Sequence, residues 1–186
     1  MYILASNSPR RKKLLEDAGV EFEVFALNVD ETVNEKMKPE KLVMMLAKRK
    51  ALAVLEHKPN DIIIAADTIV VKDSEVLGKP KDEADAYRML KLLDDDKHEV
   101  YTGVCILSSQ KEVIFYTMAE VWMKNYNDLQ IYDYIKTGEP MDKAGSYAIQ
   151  GLGEQFVDHY SGDFFTIVGL PLKTLLQELK CFEEAK

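Results

Sequence analysis

The sequence predicts an α/β protein, and three observations lead to that class. Short β-like runs alternate with helical patterns from one end of the chain to the other. No linker rich in proline, serine or glycine, no low-complexity tract and no internal repeat interrupts this alternation. The 186 residues are 47% hydrophobic and 30% charged, which is enough to bury a full core. We therefore expect residues 1–186 to form a single domain.

The first half of the chain carries clear boundary signals. Ser8 is a suitable N-cap, Pro9 fits the first helical position and Gly19 ends the helix. The residues at 72–75 are typical of a hairpin turn. The predicted elements are strands at 2–5, 21–26, 61–71 and 75–77, helices at 9–18 and 39–57, and a polar loop at 28–37.

The second half combines two long strands with a segment rich in glycine. Asp82 opens one helix, and Asn127 with Gln130 forms the sequence pattern of a capping box. Six of the nine glycines fall within 138–169, so this segment must turn often and can approach a ligand closely. The predicted elements are strands at 98–108 and 112–124 and helices at 82–93, 127–138 and 171–179.

Charge and cysteine content exclude several classes of protein. The formal charge of −8 argues against a nonspecific nucleic-acid binder or a polybasic membrane binder. No apolar stretch approaches the ~18 residues of a membrane span, and no targeting segment is visible. Cys105 and Cys181 lack a CxxC spacing, and His57, His98 and His159 lack a metal-ligand spacing. We expect a cytoplasmic protein that binds neither membranes nor nucleic-acid polymers.

Two arginines stand where the helix dipole disfavours cations. Arg10 and Arg11 lie in the first turn after Ser8, beside N–H groups that already carry partial positive charge. An anion at this terminus would remove the conflict, because helix N–H groups and guanidinium groups together bind phosphate. The alternative is that both side chains point into solvent beside Lys12 and Lys13.

Lys50 interrupts the apolar face of the second helix. On a helical projection it falls near the middle of a stripe formed by Leu42, Val43, Leu46, Ala47, Ala53 and Val54. A lysine at that position needs a carboxylate or phosphate partner. The alternative is an aliphatic stem that covers the core while the ammonium reaches solvent.

Asp67 stands between two strongly apolar runs. A carboxylate in this context lies either at a strand end or in a cleft, because unpaired burial would cost several kcal/mol. Its expected roles are metal ligation or activation of a water, with Thr68 as a neighbouring hydrogen-bonding group. The alternative is a structural aspartate that accepts hydrogen bonds from turn amides.

Two loops carry polar residues between glycines and prolines. Lys79, between Gly78 and Pro80, has a stiff backbone suited to presenting a charge to phosphate. Gln150 can offer both a donor and an acceptor to the edge of a planar base. Taken singly, both are ordinary loop residues.

Taken together, these residues resemble the Maf family of nucleoside triphosphate pyrophosphatases, and the match spans nearly the whole chain. The order and spacing of its motifs are highly specific. They are Ala5-Ser6-Asn7-Ser8-Pro9-Arg10-Arg11, Asp30-Glu31, Ala47-Lys48-Arg49-Lys50-Ala51, Ala66-Asp67-Thr68-Ile69-Val70, Leu77-Gly78-Lys79-Pro80, Thr102-Gly103, residues 143–151 and Val168-Gly169-Leu170-Pro171.

The resemblance implies a fold and an activity. The fold is a curved mixed sheet flanked by helices, with two lobes around a nucleotide cleft, as in the wider inosine-triphosphatase group. The activity is cleavage between the α- and β-phosphates of a nucleoside triphosphate with a divalent metal, Mg²⁺ or Mn²⁺. Members of the family often form homodimers, and the family was once described as inhibitors of septum formation.

The resemblance also implies roles for individual residues. Asp67 matches the proton acceptor of the family and, with Glu31, is expected to hold the metal. Three residues match positions that set substrate specificity: Arg10, Thr68 and Gln150. The residues expected to bind the phosphates are Ser6, Arg10, Arg11, Lys50 and Lys79.

The stretch at 147–151 is similar to the branch that acts on dTTP, UTP and modified pyrimidine nucleotides. Ala148 stands where glycine is common, and Thr166 lies in a loop that varies between branches, so the base preference rests mainly on Gln150. One alternative is a 7-methyl-GTP pyrophosphatase. Another is a noncatalytic nucleotide-binding regulator of septum formation. House-cleaning of the nucleotide pool and arrest of cell division are both compatible with the sequence.

Overall fold

The computed structural model describes residues 1–33 and 36–184, so residues 34 and 35 of the predicted polar loop lie outside the described residues. The helices are α1 (Pro9–Asp17), α2 (Pro39–Leu55), α3 (Glu83–Leu93), α4 (Asp128–Lys136), α5 (Phe164–Val168) and α6 (Leu172–Glu184). The strands are β1 (Tyr2–Leu4), β2 (Phe22–Val24), β3 (Ile62–Lys72), β4 (Glu75–Leu77), β5 (Lys97–Leu107), β6 (Glu112–Met123) and β7 (Val157–Ser161). Short 3₁₀ turns occupy Glu139–Asp142, Ala144–Ser146 and Leu152–Phe156.

The strands form one mixed seven-stranded sheet, which confirms the predicted α/β class. Their order is β2-β1-β3-β5-β6-β7, and β4 pairs with β3 outside this path. β1 is parallel to both β2 and β3, whereas the pairs β3–β4 and β6–β7 are antiparallel. The parallel strands are connected through α1 and α2, as βαβ units require.

Backbone contacts divide the chain into two compact units. The first comprises Met1–Asp67, Thr102–Thr117 and Gly169–Lys186, and the second comprises Thr68–Tyr101 and Met118–Val168. The expectation that residues 1–186 form a single domain stays a prediction. Among the residues that the structure describes, no helix is long and apolar enough to cross a membrane.

The core of the first unit forms where α2 packs on the sheet. Buried side chains from α2, β1, β3 and β5 meet there, among them Ala47, Ala51, Ile3, Ile63 and Cys105. The small residues on α2 allow close packing of the helix on the strands. This packing places the polar end of the Lys50 side chain at the margin of the core.

Helix caps and turns follow the sequence closely. Ser8 caps α1, with its hydroxyl accepting from the Arg11 N–H at 3.5 Å, and Asp82 caps α3 by accepting from the Asp85 N–H at 2.8 Å. Both reciprocal bonds of the predicted capping box are present between Asn127 and Gln130. These local polar signals fix where α1, α3 and α4 begin.

The predictions were wrong or incomplete in the last third of the chain. Neither β7 nor α5 was predicted, because each has only five residues, too few for a clear periodicity. Helix α6 continues to Glu184 instead of ending near residue 179, because Phe182 extends its buried face. Helix α2, in contrast, ends at Leu55, two residues before the predicted end.

His98 is a buried histidine in the second unit. Only 2% of its surface is exposed, and its Nε2 lies 2.7 Å from the hydroxyl oxygen of Tyr147. Its Nδ1 has no hydrogen-bond partner within residues 1–33 and 36–184. Burial and, to a smaller extent, the nearby Lys72 charge lower the pKa of His98, and the Asp96 charge partly opposes them; the resulting pKa is about 3. The folded protein therefore holds this ring neutral.

This neutral histidine predicts a loss of stability on mild acidification. The unfolded chain binds a proton at His98 near pH 6.5, whereas the folded chain does so only near pH 3, so the free energy of unfolding falls as pH decreases between these values. From pH 7 to pH 5 the loss from this group is about 2 kcal/mol. Urea unfolding at both pH values measures it. In His98→Gln we expect this pH-dependent part of the free energy of unfolding to disappear. In the control His57→Gln, which replaces an exposed histidine, it should persist. An NMR titration showing His98 protonation near pH 6 would contradict the assignment.

Candidate active site

Asp67 is placed by the unequal lengths of two parallel strands. Leu4, the last residue of β1, is in register with Ile64 of β3, and the Ala5 N–H donates to the Ile64 carbonyl at 2.8 Å. β3 then continues past the end of β1, and Asp67 lies on this extension, where it is 7% exposed. The residue is thus inside its own strand, but beyond the carboxyl end of its parallel neighbour. Polar groups at this edge of parallel strands commonly form ligand sites.

Lys50 joins two carboxylates in the first unit. From α2 its ammonium donates to Asp67 Oδ1 and lies 2.9 Å from Glu31 Oε1. The Lys50 side chain is 17% exposed and that of Glu31 is 57% exposed. The predicted need of Lys50 for an acidic partner is therefore confirmed, although the sequence did not indicate which carboxylate would meet it.

Two opposing effects act on the pKa of Asp67. Burial raises the pKa of its carboxyl group, while the charge and hydrogen bond of Lys50 and the charge of Arg11 lower it; the net direction is upward. A raised pKa indicates a carboxylate that takes up a proton more readily than one in water. This is the property that a general base requires.

Arg11 is oriented by two contacts within the first unit. Its Nε donates to the Gly169 carbonyl at 2.7 Å, and its Nη1 donates to the Ser6 hydroxyl at 3.2 Å. Burial lowers the pKa of Arg11 and the charge of Asp67 raises it, so the two residues influence each other electrostatically. Ser6 is buried and also accepts from the Ser8 N–H at 3.2 Å. The first turn of α1 and this guanidinium therefore belong to one polar cluster, with the half-buried Arg10 beside it.

Arg49 was missed by sequence reasoning. Its Nη1 donates to the carbonyl of Asp30 at 2.5 Å and to that of Thr32 at 3.1 Å, on either side of Glu31. Adjacent residues of α2 therefore serve Glu31 in different ways: Arg49 holds its backbone and Lys50 binds its carboxylate. The sequence signal was the adjacent pair Arg49 and Lys50. Only Lys50 lies on the apolar stripe, so only Lys50 was singled out.

The structure brings Ser6, Arg11, Glu31, Lys50 and Asp67 together in the first unit, with Arg10 at the same helix terminus. The remaining predicted site residues belong to the second unit. Thr68 is half-buried on β3, and Lys79 and Gln150 are exposed in loops. Their participation in the site stays a prediction.

Glu31 and Asp67 offer a donor set suited to a hard divalent cation. The two carboxylates bind one ammonium, so the position between them already holds positive charge. Across the described residues, no group of three or more His, Cys, Asp or Glu side chains is arranged to hold a metal. Two carboxylates nevertheless match Mg²⁺, which is commonly bound by one or two carboxylates together with substrate phosphates.

The chain is similar to proteins of known family. The chain is 52% identical over 182 residues to the dTTP/UTP pyrophosphatase of Bacillus cytotoxicus, covering 98% of this chain and 95% of that protein. It is 50% identical over 181 residues to the dTTP/UTP pyrophosphatase of Bacillus mycoides, covering 97% and 95%.

A solved structure supports the fold. The Ham1 protein of Staphylococcus aureus superimposes with a TM-score of 0.51 at 15% identity, covering 95% of this chain and 98% of that one. A family profile described as Maf-like protein matches residues 1–182. The predicted resemblance is confirmed by this match and by the two relatives: the chain belongs to the Maf family.

Proposed function

We propose that this chain hydrolyses dTTP, UTP and modified pyrimidine nucleoside triphosphates to the monophosphate and pyrophosphate. The observation that carries the proposal is the cluster in which Lys50 joins the buried Asp67 to Glu31, electrostatically coupled to Arg11. The same activity is named for relatives about half identical over nearly the whole chain.

Asp67 acts as the base in the proposed reaction. It removes a proton from a water whose oxygen forms a bond to the α-phosphorus. The bond between that phosphorus and the oxygen bridging to the β-phosphorus then breaks, and pyrophosphate leaves with the bonding electrons. A positioned general base contributes about 10²–10⁴-fold to such a reaction. Lys50 keeps Asp67 oriented and stabilises its ionised form.

The cations of the site neutralise the triphosphate. A substrate carrying about four negative charges would be repelled by a protein of net charge −8 unless positive charge were concentrated locally. We assign this task to Arg10, Arg11, Lys50 and Lys79. Ser6 adds a hydroxyl, and the N–H groups at the start of α1 contribute their dipoles.

Glu31 and Asp67 are the residues that would hold Mg²⁺ or Mn²⁺. When bound, the ion supplies charge neutralisation of the phosphates. Arg49 contributes indirectly, because it fixes the backbone on both sides of Glu31.

Base selection is assigned to Arg10, Thr68 and Gln150. A glutamine amide can pair with both a donor and an acceptor on the edge of a pyrimidine. An unmatched polar contact at such an edge costs about 1–3 kcal/mol, which is enough to separate related nucleotides.

The test is release of pyrophosphate from a panel of nucleoside triphosphates with Mg²⁺ or Mn²⁺. We expect dTTP, UTP and 5-methyl-UTP to be cleaved faster than dATP and GTP, and chelation by EDTA to stop the reaction. Preferential cleavage of 7-methyl-GTP would favour the other branch of the family. Tight binding without cleavage of any nucleotide would favour the regulator of septum formation.

We further propose a cytoplasmic location and a homodimeric assembly. Cys105 and Cys181 are free thiols, as is usual in a reducing compartment. The cellular role that fits the reaction best is removal of noncanonical nucleotides. A second role in the arrest of cell division is compatible with it. Sedimentation of the purified protein measures the assembly state.

A further inference from the structure

The loop that carries Gln150 is fastened to a single carboxylate in the second unit. Glu139 Oε1 accepts from the Leu152 N–H at 3.1 Å, and Glu139 Oε2 accepts from the Gly153 N–H at 2.9 Å. Oε2 also accepts from the Tyr134 hydroxyl at 2.6 Å. Both oxygens of one side chain thus accept hydrogen bonds, and together they bind three donors.

Tyr134 extends this attachment to the other end of the loop. Its hydroxyl accepts from the Ala148 N–H at 3.2 Å while donating to Glu139. The ring is 2% exposed and packs edge-on against Phe156, so the hydroxyl has little freedom to move. The backbone on both sides of Gln150 is therefore bound, directly or through one hydroxyl, to the same carboxylate.

Gly151 adds a steric constraint to these hydrogen bonds. It adopts a φ of +92°, and a Cβ at this position would lie 2.5 Å from Glu139 Oε1. The carboxylate thus lies directly against the backbone that follows Gln150, whose own side chain is exposed. The constrained backbone therefore fixes the point from which the Gln150 side chain starts.

We propose that Glu139 is a positioning residue that, together with Tyr134, fixes the loop at 148–153 and thereby sets the selectivity of Gln150 for the nucleotide base. The inference rests on the proposed function, in which Gln150 reads the base. It adds a carboxylate that touches neither the base nor the phosphates. Its role is to hold the backbone that carries Gln150 in place before the nucleotide binds, so that selectivity does not depend on ordering the loop.

Glu139→Gln is the first variant to examine. Its amide retains the size of the carboxylate but has one oxygen instead of two, so an –NH₂ group must face one of the donors now satisfied. We expect kcat/KM for dTTP to fall about tenfold, mainly through KM, and the preference for dTTP over dATP to fall by a similar factor. The matched control is Glu154→Gln, which removes the same charge from an exposed position nearby and should retain the native preference.

A double variant separates positioning from a general loss of structure. If Glu139 acts through Gln150, then Gln150→Ala removes the benefit, and adding Glu139→Gln to it lowers the preference no further. Independent effects that multiply would overturn the proposal. So would a Glu139→Gln variant that retains the native preference while Gln150→Ala loses it; that result would leave the proposed function intact.

Hydrogen exchange tests the attachment without any nucleotide. The amides of Leu152, Gly153 and Ala148 should exchange at least about tenfold faster in Glu139→Gln, and that of Ala148 also in Tyr134→Phe. Unchanged exchange would overturn the proposed attachment. If the native protein releases pyrophosphate from no nucleotide, the proposed function fails and the role in selectivity fails with it, whereas exchange still decides whether Glu139 holds the loop.

Discussion

Asp67→Asn is expected to reduce pyrophosphate release from dTTP about 10³-fold or more. The amide has the size of the carboxylate but does not accept a proton from water, and a general base alone accounts for about 10²–10⁴-fold. Binding of dTTP should persist, because Arg10, Arg11 and Lys50 remain. Steady-state release of pyrophosphate and calorimetric binding of dTTP measure the two properties separately.

The same variant should remain folded. Burial raises the pKa of Asp67, which means that the folded protein disfavours its charged form relative to an exposed aspartate. A neutral amide avoids this penalty, and Lys50 retains Glu31 as a partner. Asp61→Asn is the matched control, since Asp61 precedes the same strand and pairs with the N-terminus at 3.3 Å; it should retain native activity. Near-native turnover by Asp67→Asn would contradict the assignment of the base.

How much of the site was predictable depended on whether the signal was local. Ser8, Asp82 and Asn127 act on amides within three residues, so their roles could be inferred from short sequence patterns. Lys50 was recognisable as a cation on an apolar helical stripe, and Asp67 as an acid within an apolar strand. Their mutual contact depends on the packing of α2 against the sheet, which no local pattern encodes.

The residues that were missed serve distant parts of the backbone. Arg49 binds carbonyl groups 17 and 19 positions away, and Glu139 binds amides 13 and 14 positions away. Each has an ordinary sequence context, because its partners are main-chain atoms that every residue supplies. Positioning residues of this kind become visible only when the fold brings a charged group to a particular loop.

Among the substitutions proposed, Gly103→Ala is expected to cause the largest loss in the free energy of unfolding. A Cβ on Gly103 of β5 would lie 2.4 Å from the carbonyl carbon of Val43, 2.5 Å from its oxygen and 2.7 Å from the Met44 nitrogen. All three atoms belong to the backbone of α2, so no side chain can turn away to make room. Overpacking a core costs about 1–3 kcal/mol even where side chains can adjust. We therefore expect a loss of about 3 kcal/mol or more in the free energy of unfolding, measured in urea.

The matched control is Gly78→Ala, because a Cβ there would have no atom within 4 Å and Gly78 has no positive φ. Native stability in Gly103→Ala would show that α2 can move away from β5 at little cost. If the variant folds, its activity is informative, because the same displacement of α2 carries Lys50 away from Asp67 and Arg49 away from the carbonyl groups beside Glu31. Loss of pyrophosphate release in a folded Gly103→Ala protein would therefore connect one glycine in the core to the charge balance of the active site.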